Sequence, residues 1–96
     1  PVSIDLVRHI ATVRGIPVNL TRSEFQLLRL LVGSPGEVFA RAQIMEELWQ
    51  TEFDGDERAC DVHISNLRQK VERDPQKPEL VVTVRGVGYK FNGEGT

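Results

Sequence analysis

Apolar residues recur along this chain with two different spacings, which predict strands at both ends and helices between them. In the first part of the chain, apolar and polar positions alternate or give way to short β-branched runs, a pattern typical of half-buried strands. Arg14 and Gly15 form a turn, and Pro17 favours an edge strand because proline has no N–H to donate to a neighbour. We expect an antiparallel sheet of two or three strands, with segments at 4–8, 10–13 and 16–20.

The spacing changes to a helical one after residue 20. Thr21 and Glu24 have the types and spacing of a capping box, in which each side chain bonds the backbone N–H of the other residue. Leucines then follow at helical intervals until Gly33, a common residue just beyond a helix end. These signals predict a first helix over residues 22–32, with a broad apolar face that belongs in a core.

A second helix is predicted over residues 41–49, after an extended linker at 38–39. Its N-cap position holds Ala40, which offers no side-chain acceptor and costs about 1 kcal/mol relative to Ser. A polar loop follows at 50–56, and Phe53 is the bulky apolar residue within it. Phe53 has two interpretations: it packs back onto the core, or it is a contact residue for a partner.

A third helix is predicted over residues 57–73, because the residue before Pro75 is pushed out of the α region. On a helical wheel four apolar residues fall within an arc of about 60° and form the expected core-facing stripe. They are Cys60, Ile64, Leu67 and Val71. Arg68 lies beside this stripe, and we expect it to pack its stem there and to pair with Asp61 or another acid.

The opposite face of this helix has no acid and carries side chains that suit the edges of DNA bases. Asn and Gln can bond adenine, Arg can bond guanine, Val can contact a thymine methyl, and Ser can bond either kind of base. The alternative interpretation is a solvated face that happens to lack acids. The residues on this face are Arg58, Val62, Ser65, Asn66, Gln69 and Arg73.

Strands at 80–84 and 89–91 flank a turn at 85–88 and predict a β-hairpin, with a frayed tail over 92–96. The glycines of the turn are explained by turn geometry. Three helices followed by such a hairpin form the layout of a winged helix-turn-helix, in which the third helix enters the major groove. Arg85, near the tip, would then reach a narrow minor groove, whose negative potential attracts arginine.

Charge is distributed unevenly along the 96 residues, whose formal net charge is -2. Residues 1–57 hold five basic and nine acidic side chains, whereas residues 58–91 hold seven basic and four acidic ones. This division suggests a basic working face in the second part. The single cysteine, Cys60, excludes an internal disulfide and fits a cytoplasmic location; we expect it to be buried and inert.

Four segments in this order resemble a known family: LTRSEFQLL at 20–28, RAQI at 41–44 with LW at 48–49, DVHISNLR at 61–68, and TVRGVGY at 83–89. Together they are similar to the C-terminal effector domain of OmpR/PhoB-family response regulators. The resemblance covers nearly the whole chain and implies an α+β winged helix-turn-helix with an N-terminal antiparallel sheet, three helices and a C-terminal wing. It also implies sequence-specific double-stranded DNA binding as the output of a two-component system.

Further expectations come from this resemblance alone. Residues 1–96 would be a single effector domain, without the receiver domain that a sensor kinase phosphorylates. DNA sites would be direct repeats bound by head-to-tail dimers. The loop between the second and third helices would contact RNA polymerase; it comprises Gln50, Thr51, Glu52, Phe53, Asp54, Gly55 and Asp56.

Site residues carry over position by position from the family pattern. Base contacts are implied for Arg58, Val62, Ser65, Asn66 and, at the wing tip, Arg85, and the outer face of the third helix adds Gln69. Contacts to the DNA backbone are implied for Arg41, Trp49, His63, Thr83 and Tyr89, and the outer face of the helix adds Arg73. Many relatives carry Arg at the places of Ser65 and Asn66, so the preferred bases here are expected to shift from guanine toward adenine.

Other functions fit the sequence less well. His9 and His63 are far apart, and Cys60 and His63 lack the second pair of ligands that a zinc site needs. No glycine-rich loop opens a helix as a phosphate cradle. No apolar run is long enough to span a bilayer. We expect no enzymatic activity, no cofactor and no membrane partner; the competing hypothesis is a winged helix that binds another protein.

Overall fold

The computed structural model describes residues 2–48 and 58–93, in which three helices follow one small sheet and precede the hairpin of another. All strand pairs are antiparallel. The elements in chain order are β1 (Val2–Asp5), β2 (Ile10–Val13), β3 (Ile16–Val18), α1 (Arg22–Val32), β4 (Phe39–Ala40), α2 (Arg41–Leu48), α3 (Arg58–Val71), β5 (Val81–Val84) and β6 (Gly88–Phe91).

The N-terminal sheet has the order β1-β2-β3, which places Pro17 on an edge strand as predicted. Arg14 and Gly15 both have positive φ, 51° and 77°, the combination that a tight two-residue hairpin turn requires. The first strand begins two residues before the predicted 4–8 and ends three residues before its predicted end, because the Asp5 carboxylate accepts hydrogen bonds from the Val7 and Arg8 N–H groups and turns the chain. The third strand ends at Val18, two residues before the predicted end.

Helix α1 has the predicted bounds and the predicted cap. The Thr21 hydroxyl accepts the Glu24 N–H at 3.2 Å, and the Glu24 carboxylate accepts the Thr21 N–H at 2.9 Å. Leu27, Leu28 and Leu31 are completely buried. Local sequence therefore determines both where α1 begins and which face it buries.

Helix α2 begins at Arg41 as predicted, and its start is better satisfied than Ala40 suggests. The Gln43 side chain accepts the Ala40 N–H at 2.8 Å, which is the half of a capping box that the third helical residue supplies. The predicted last residue, Trp49, lies outside the described residues, as does Glu57 at the predicted start of α3. The far end of α3 comes two residues earlier than predicted.

The wing sheet contains a strand that the sequence pattern did not predict. Phe39 and Ala40, predicted as a linker, form β4 and pair with Tyr89 and Gly88 of β6. A Cβ atom on Gly88 would lie 1.9 Å from the Phe39 carbonyl oxygen, so Gly88 is required by close approach of the two strands. Its attribution to turn geometry alone was therefore wrong.

The core lies where the helices meet the inner faces of both sheets. The predicted stripe of α3 is sealed inside it, with exposures of 0–1% for all four residues, Cys60 included. Val2, Ala11 and Val13 anchor the N-terminal sheet to the core, and Val81 and Phe91 anchor the wing. Asn92, predicted to fray, donates its N–H to the Leu80 carbonyl oxygen at 2.7 Å.

Candidate nucleic-acid interface

The outer face of α3 is exposed along its length. Five of the residues with predicted base contacts lie on it: Arg58, Val62, Ser65, Asn66 and Gln69. Val62 keeps 58% of its surface exposed, although its isopropyl group gains nothing from water. Arg73, just beyond the helix, is also exposed, and His63 is half-buried at the flank. A face with this composition offers hydrogen-bond donors, acceptors and one apolar contact to a base edge.

The wing presents its tip on the short turn between β5 and β6. The Val87 N–H donates to the Val84 carbonyl oxygen at 3.0 Å, and Gly86 has a φ of 78°, which the absence of a Cβ permits. Arg85 is exposed beside it, as predicted. Val87 is 50% exposed and adds an apolar surface at the tip that sequence analysis did not single out.

A carboxylate joins α3 to its neighbours. Asp61 Oδ1 accepts hydrogen bonds from Arg41 Nε at 2.8 Å and from the Tyr89 hydroxyl at 2.5 Å. Arg41 is the first residue of α2 and Tyr89 lies on β6, so this one group contacts two elements from α3. The signal in the sequence was that Asp61 is the sole acid within α3.

The ionisation of this cluster follows from its geometry. The hydrogen bond from Tyr89 lowers the pKa of Asp61, with further lowering by Arg41 that outweighs the opposing effect of burial. Burial, reinforced by the Asp61 charge, raises the pKa of Tyr89 to about 12. The hydrogen bond that Arg41 itself donates to Asp61 raises the pKa of Arg41. At neutral pH the cluster therefore holds a carboxylate, a guanidinium and a neutral phenol.

Among the described residues, no ion pair or hydrogen bond joins Arg68 to an acid, although its charge does contribute to the lowered pKa of Asp61. Its guanidinium donates to the Val81 carbonyl oxygen at 2.8 and 3.0 Å and to the Thr83 hydroxyl at 3.0 Å. It also lies over the ring of Tyr89, 5.4 Å from the centroid, and Arg41 lies 5.6 Å from the same centroid. The predicted direct pairing with Asp61 was therefore wrong: Arg68 connects α3 to β5 and acts on Asp61 through its charge alone.

The two wing residues with predicted backbone contacts differ in exposure. Thr83 is exposed, and its hydroxyl, while accepting from Arg68, keeps its own proton to donate. Tyr89 is only 5% exposed, and its hydroxyl already donates to Asp61. Contact with DNA stays a prediction for both residues. Within the domain, the Tyr89 side chain connects the wing to α3.

A second buried carboxylate fixes the passage from α3 to the wing. Glu72, 7% exposed, accepts hydrogen bonds from the backbone N–H groups of Glu79, Leu80 and Val81 at 2.8–3.1 Å. These bonds tie the start of β5 to the residue that follows the end of α3 at Val71. Sequence analysis missed Glu72, whose partners are backbone groups of a loop.

Side chains of α1 and of the turn between β2 and β3 also bond the C-terminal half of α3. Lys70 donates to the Glu24 carboxylate of α1, and Arg14 Nη2 donates to the Val71 carbonyl oxygen at 3.2 Å. Burial acts to raise the pKa of Glu24, but the bonds from Lys70 and Thr21 outweigh it and the pKa is lowered. Lys70 is therefore engaged inside the domain although it belongs to a basic helix.

Some predicted site residues are not among those described. Trp49 and the predicted polymerase-contact loop, 50–56, lie outside the described residues. Within 2–48 and 58–93, no three His, Cys, Asp or Glu side chains come together as a metal site. In the same part of the chain, no helix has the length and apolarity that crossing a membrane requires.

Comparison with solved structures supports the fold. The DNA-binding domain of response regulator AdeR, solved in complex with an intercistronic region, superimposes with a TM-score of 0.82 at 32% identity, covering 95% of this chain and 93% of that one. The DNA-binding domain of Klebsiella pneumoniae RstA, solved with the RstA box, gives 0.82 at 32% identity, covering 95% and 90%. The winged helix-turn-helix predicted from the sequence is thereby confirmed.

Comparison of sequences gives the family. Sensory transduction protein RegX3 of Mycolicibacterium smegmatis is 43% identical over 93 residues, which are 97% of this chain but 41% of RegX3. The chain thus spans about two fifths of the length of such a relative. The family described as "Transcriptional regulatory protein, C terminal" matches residues 15–91. The chain belongs to this family, the OmpR/PhoB type of DNA-binding effector domain, as its four motifs indicated.

Proposed function

We propose that this domain binds double-stranded DNA in a sequence-specific way, as the output domain of a two-component transcriptional regulator. The observation that carries the proposal is the outer face of α3, which is exposed and rich in base-bonding side chains, with Asp61 at its edge as the sole acid of the helix. Its inner face is sealed in the core, so the helix can enter a groove without exposing apolar surface. The AdeR and RstA domains, similar over nearly their whole length, were solved with DNA.

Base recognition is assigned to α3 and to the wing tip. Asn66 and Gln69 suit adenine, Arg58 suits guanine, and Val62 suits the methyl group of thymine. Ser65 can bond either kind of base. Arg85 is placed on an exposed turn from which it can enter the minor groove.

Backbone contacts position the helix in the groove without reading sequence. Arg41, at the start of α2, and His63, at the flank of α3, stand on either side of the proposed reading face. Arg73 and Thr83 are exposed at the end of α3 and on the wing. Each cation that neutralises a phosphate adds to the salt dependence of binding.

The partners beyond DNA are proposed from family membership. In the whole regulator, a receiver domain phosphorylated by a sensor kinase would precede residues 1–96, which act as one effector domain in the cytoplasm. Two copies would bind a direct repeat head to tail. The loop at 50–56 would contact RNA polymerase. A domain with this role needs no catalytic group.

Selection from a random duplex pool, followed by titration of the enriched site at several salt concentrations, tests the proposal. We expect an enriched direct repeat and an affinity that falls steeply with salt. Asn66→Ala and Arg85→Ala should each weaken binding by about 1–3 kcal/mol. Matched controls are Asn19→Ala and Arg29→Ala, which change the same residue types at exposed positions away from α3 and the wing.

The result that would contradict the proposal is a folded wild-type domain that enriches no sequence. Binding that is weak and insensitive to salt would have the same meaning. Either outcome would favour the alternative hypothesis of a winged helix that contacts another protein.

A further inference from the structure

Asp61 occupies an unusual place for an acid in a surface proposed to bind DNA. It lies within one helical turn of Arg58 and Ser65, at spacings of three and four residues that put side chains on the same side of a helix. Its side chain is 49% exposed. A carboxylate at this position repels phosphate groups, so electrostatics alone would disfavour it.

The contacts of Asp61 suggest what offsets this repulsion. Its Oδ1 holds Arg41 Nε at 2.8 Å and the Tyr89 hydroxyl at 2.5 Å. The Tyr89 ring lies in turn beneath the guanidinium groups of Arg41 and Arg68. Through these bonds a single group sets the relative positions of α2, α3 and β6, the elements that carry the proposed DNA contacts.

Ordering arginine side chains has a cost that matters for binding. A free arginine loses rotamer freedom when a phosphate fixes it, which reduces affinity. Arg41, already held by Asp61, loses less. The lowered pKa of Asp61 means that the carboxylate stays charged, and able to hold Arg41, throughout the neutral range.

We propose that Asp61 is a positioning residue for DNA binding: its carboxylate holds Arg41 and, through Tyr89, the wing in the arrangement that meets the DNA backbone. The proposal rests on the proposed function. Charge alone predicts that removing an acid tightens binding to DNA, whereas the contacts of Asp61 predict the opposite. Replacing Asp61 with Ala makes the domain less negative, yet weakens its binding to DNA.

The sign of the effect is tested with Asp61→Ala, which removes one negative charge together with the oxygen that accepts from Arg41 and Tyr89. The control is Asp74→Asn, which removes one negative charge alone: Asp74 is exposed in the loop after α3 and accepts the Gln76 N–H, a role that Asn retains. Affinity is measured on the selected duplex at one salt concentration. We expect Asp61→Ala to bind about 3- to 10-fold more weakly than wild type, and Asp74→Asn to bind equally well or slightly more tightly.

Two further readouts separate positioning from general damage. In the Arg41→Gln background, Asp61→Ala should weaken binding by a smaller factor than in wild type, since only the contact through Tyr89 is left to lose. In NMR spectra of the free domain, the Arg41 Nε–H signal should be protected in wild type and lost in Asp61→Ala, while the urea midpoint shows that both are folded. Should Asp61→Ala fail to fold, Tyr89→Phe, which removes the other bond to the carboxylate, carries the test by a loss of affinity.

Tighter or unchanged binding by Asp61→Ala would overturn the proposal while leaving DNA binding intact, and so would a loss on the Arg41→Gln background as large as that in wild type. Tyr89→Phe with wild-type affinity would overturn it where that variant carries the test. A wild-type domain that enriches no sequence would overturn the proposed function and this proposal together.

Discussion

The two small sheets of this domain each have three antiparallel strands, but they are attached to the helices in different ways. The N-terminal sheet is held mainly by apolar packing of Val2, Ala11 and Val13, with a side-chain hydrogen bond from Arg14 to α3. The wing sheet is also packed on the core, but Asp61, Arg68 and Glu72 bond it to α3 through polar groups. Polar bonds are directional, so the wing is fixed in orientation relative to α3, as a two-part DNA-binding surface requires.

The outer surfaces of the two sheets differ in the same sense. The N-terminal sheet and its first loop expose four apolar side chains, which offer no hydrogen-bonding groups: Leu6, Val7, Ile10 and Ile16. The wing exposes Arg85 and Val87 on a turn fixed by a backbone hydrogen bond. We infer that the first sheet is a support for the helices and that the second works with α3.

Among the variants that test this difference between the two sheets, we expect Gly88→Ala to lower the free energy of unfolding most. The new Cβ would meet the Phe39 carbonyl oxygen at 1.9 Å, so β4 must separate from β6. We expect a loss of about 3 kcal/mol in the free energy of unfolding, at the upper end for overpacking. Urea denaturation measures it.

The matched change in the N-terminal sheet is Gly15→Ala. Nothing lies within 4 Å of the added Cβ, and the cost comes from a φ of 77° alone. We expect about 1 kcal/mol, the cost of a left-handed conformation for alanine. Equal losses for the two variants would show that close approach of β4 is not what Gly88 provides.

Glu72→Gln should have the next largest effect. The amide keeps one oxygen acceptor, but its NH2 group faces backbone donors of Leu80 and Val81 that the second carboxylate oxygen served. A buried donor left without a partner costs about 1–3 kcal/mol. Denaturation of this variant beside Glu79→Gln, at an exposed position, makes the measurement; the control should stay within about 0.5 kcal/mol of wild type.

Lys70→Gln should have a smaller effect, and on stability alone. Lys70 is 37% exposed and is bonded to the buried Glu24 of α1, which keeps the Thr21 N–H as a second partner, so the loss of Lys70 should cost about 1 kcal/mol. Because Lys70 is engaged away from the outer face, the affinity of the folded protein for DNA should change much less than with Asn66→Ala. A loss of affinity equal to that of Asn66→Ala would place Lys70 in the interface.

We expect a change of pH near neutrality to alter the stability of the domain least. The pKa values of Asp61 and Glu24 are lowered in the folded state, Asp61 chiefly by Tyr89 and Glu24 by Lys70 against the effect of burial. Their contribution is therefore fully present above their unfolded pKa values, about 4, and is lost as the pH falls through the folded values. The urea midpoint should be flat from about pH 7 to 5 and fall below about 4. In Lys70→Gln the fall should be shallower; an equal fall would mean that the Glu24–Lys70 pair does not contribute.

Local signals explain which parts of the fold could be predicted. The cap and apolar face of α1 lie within one segment, so its bounds were predicted to the residue. The periodicity of α3 separated its buried stripe from its exposed face for the same reason. The early end of β1 also had a local cause, since Asp5 bonds its own neighbours, and this turn chemistry was available in the sequence.

Contacts between distant segments explain what was missed. Strand β4 exists because Phe39 and Ala40 pair with β6, which lies at the far end of the chain. The partners of Arg68 and Glu72 are backbone groups of the wing, and no spacing within α3 encodes them. The role of Asp61 depends on residues from three elements that only the folded chain brings together. The side-chain types along α3 predicted which face of the helix is exposed. Which of its side chains form bonds within the domain was decided by tertiary packing.

The most direct test of the central claim, that the outer face of α3 reads DNA sequence, is a measurement of discrimination. Affinity is compared between the selected site and the same site with single base pairs changed, for wild type, Asn66→Ala and Asn19→Ala. We expect wild type and Asn19→Ala to reject each changed base pair by about 1–3 kcal/mol, and Asn66→Ala to lose that rejection at one position only. Discrimination that Asn66→Ala leaves intact at every position would contradict the assignment of base reading to this face.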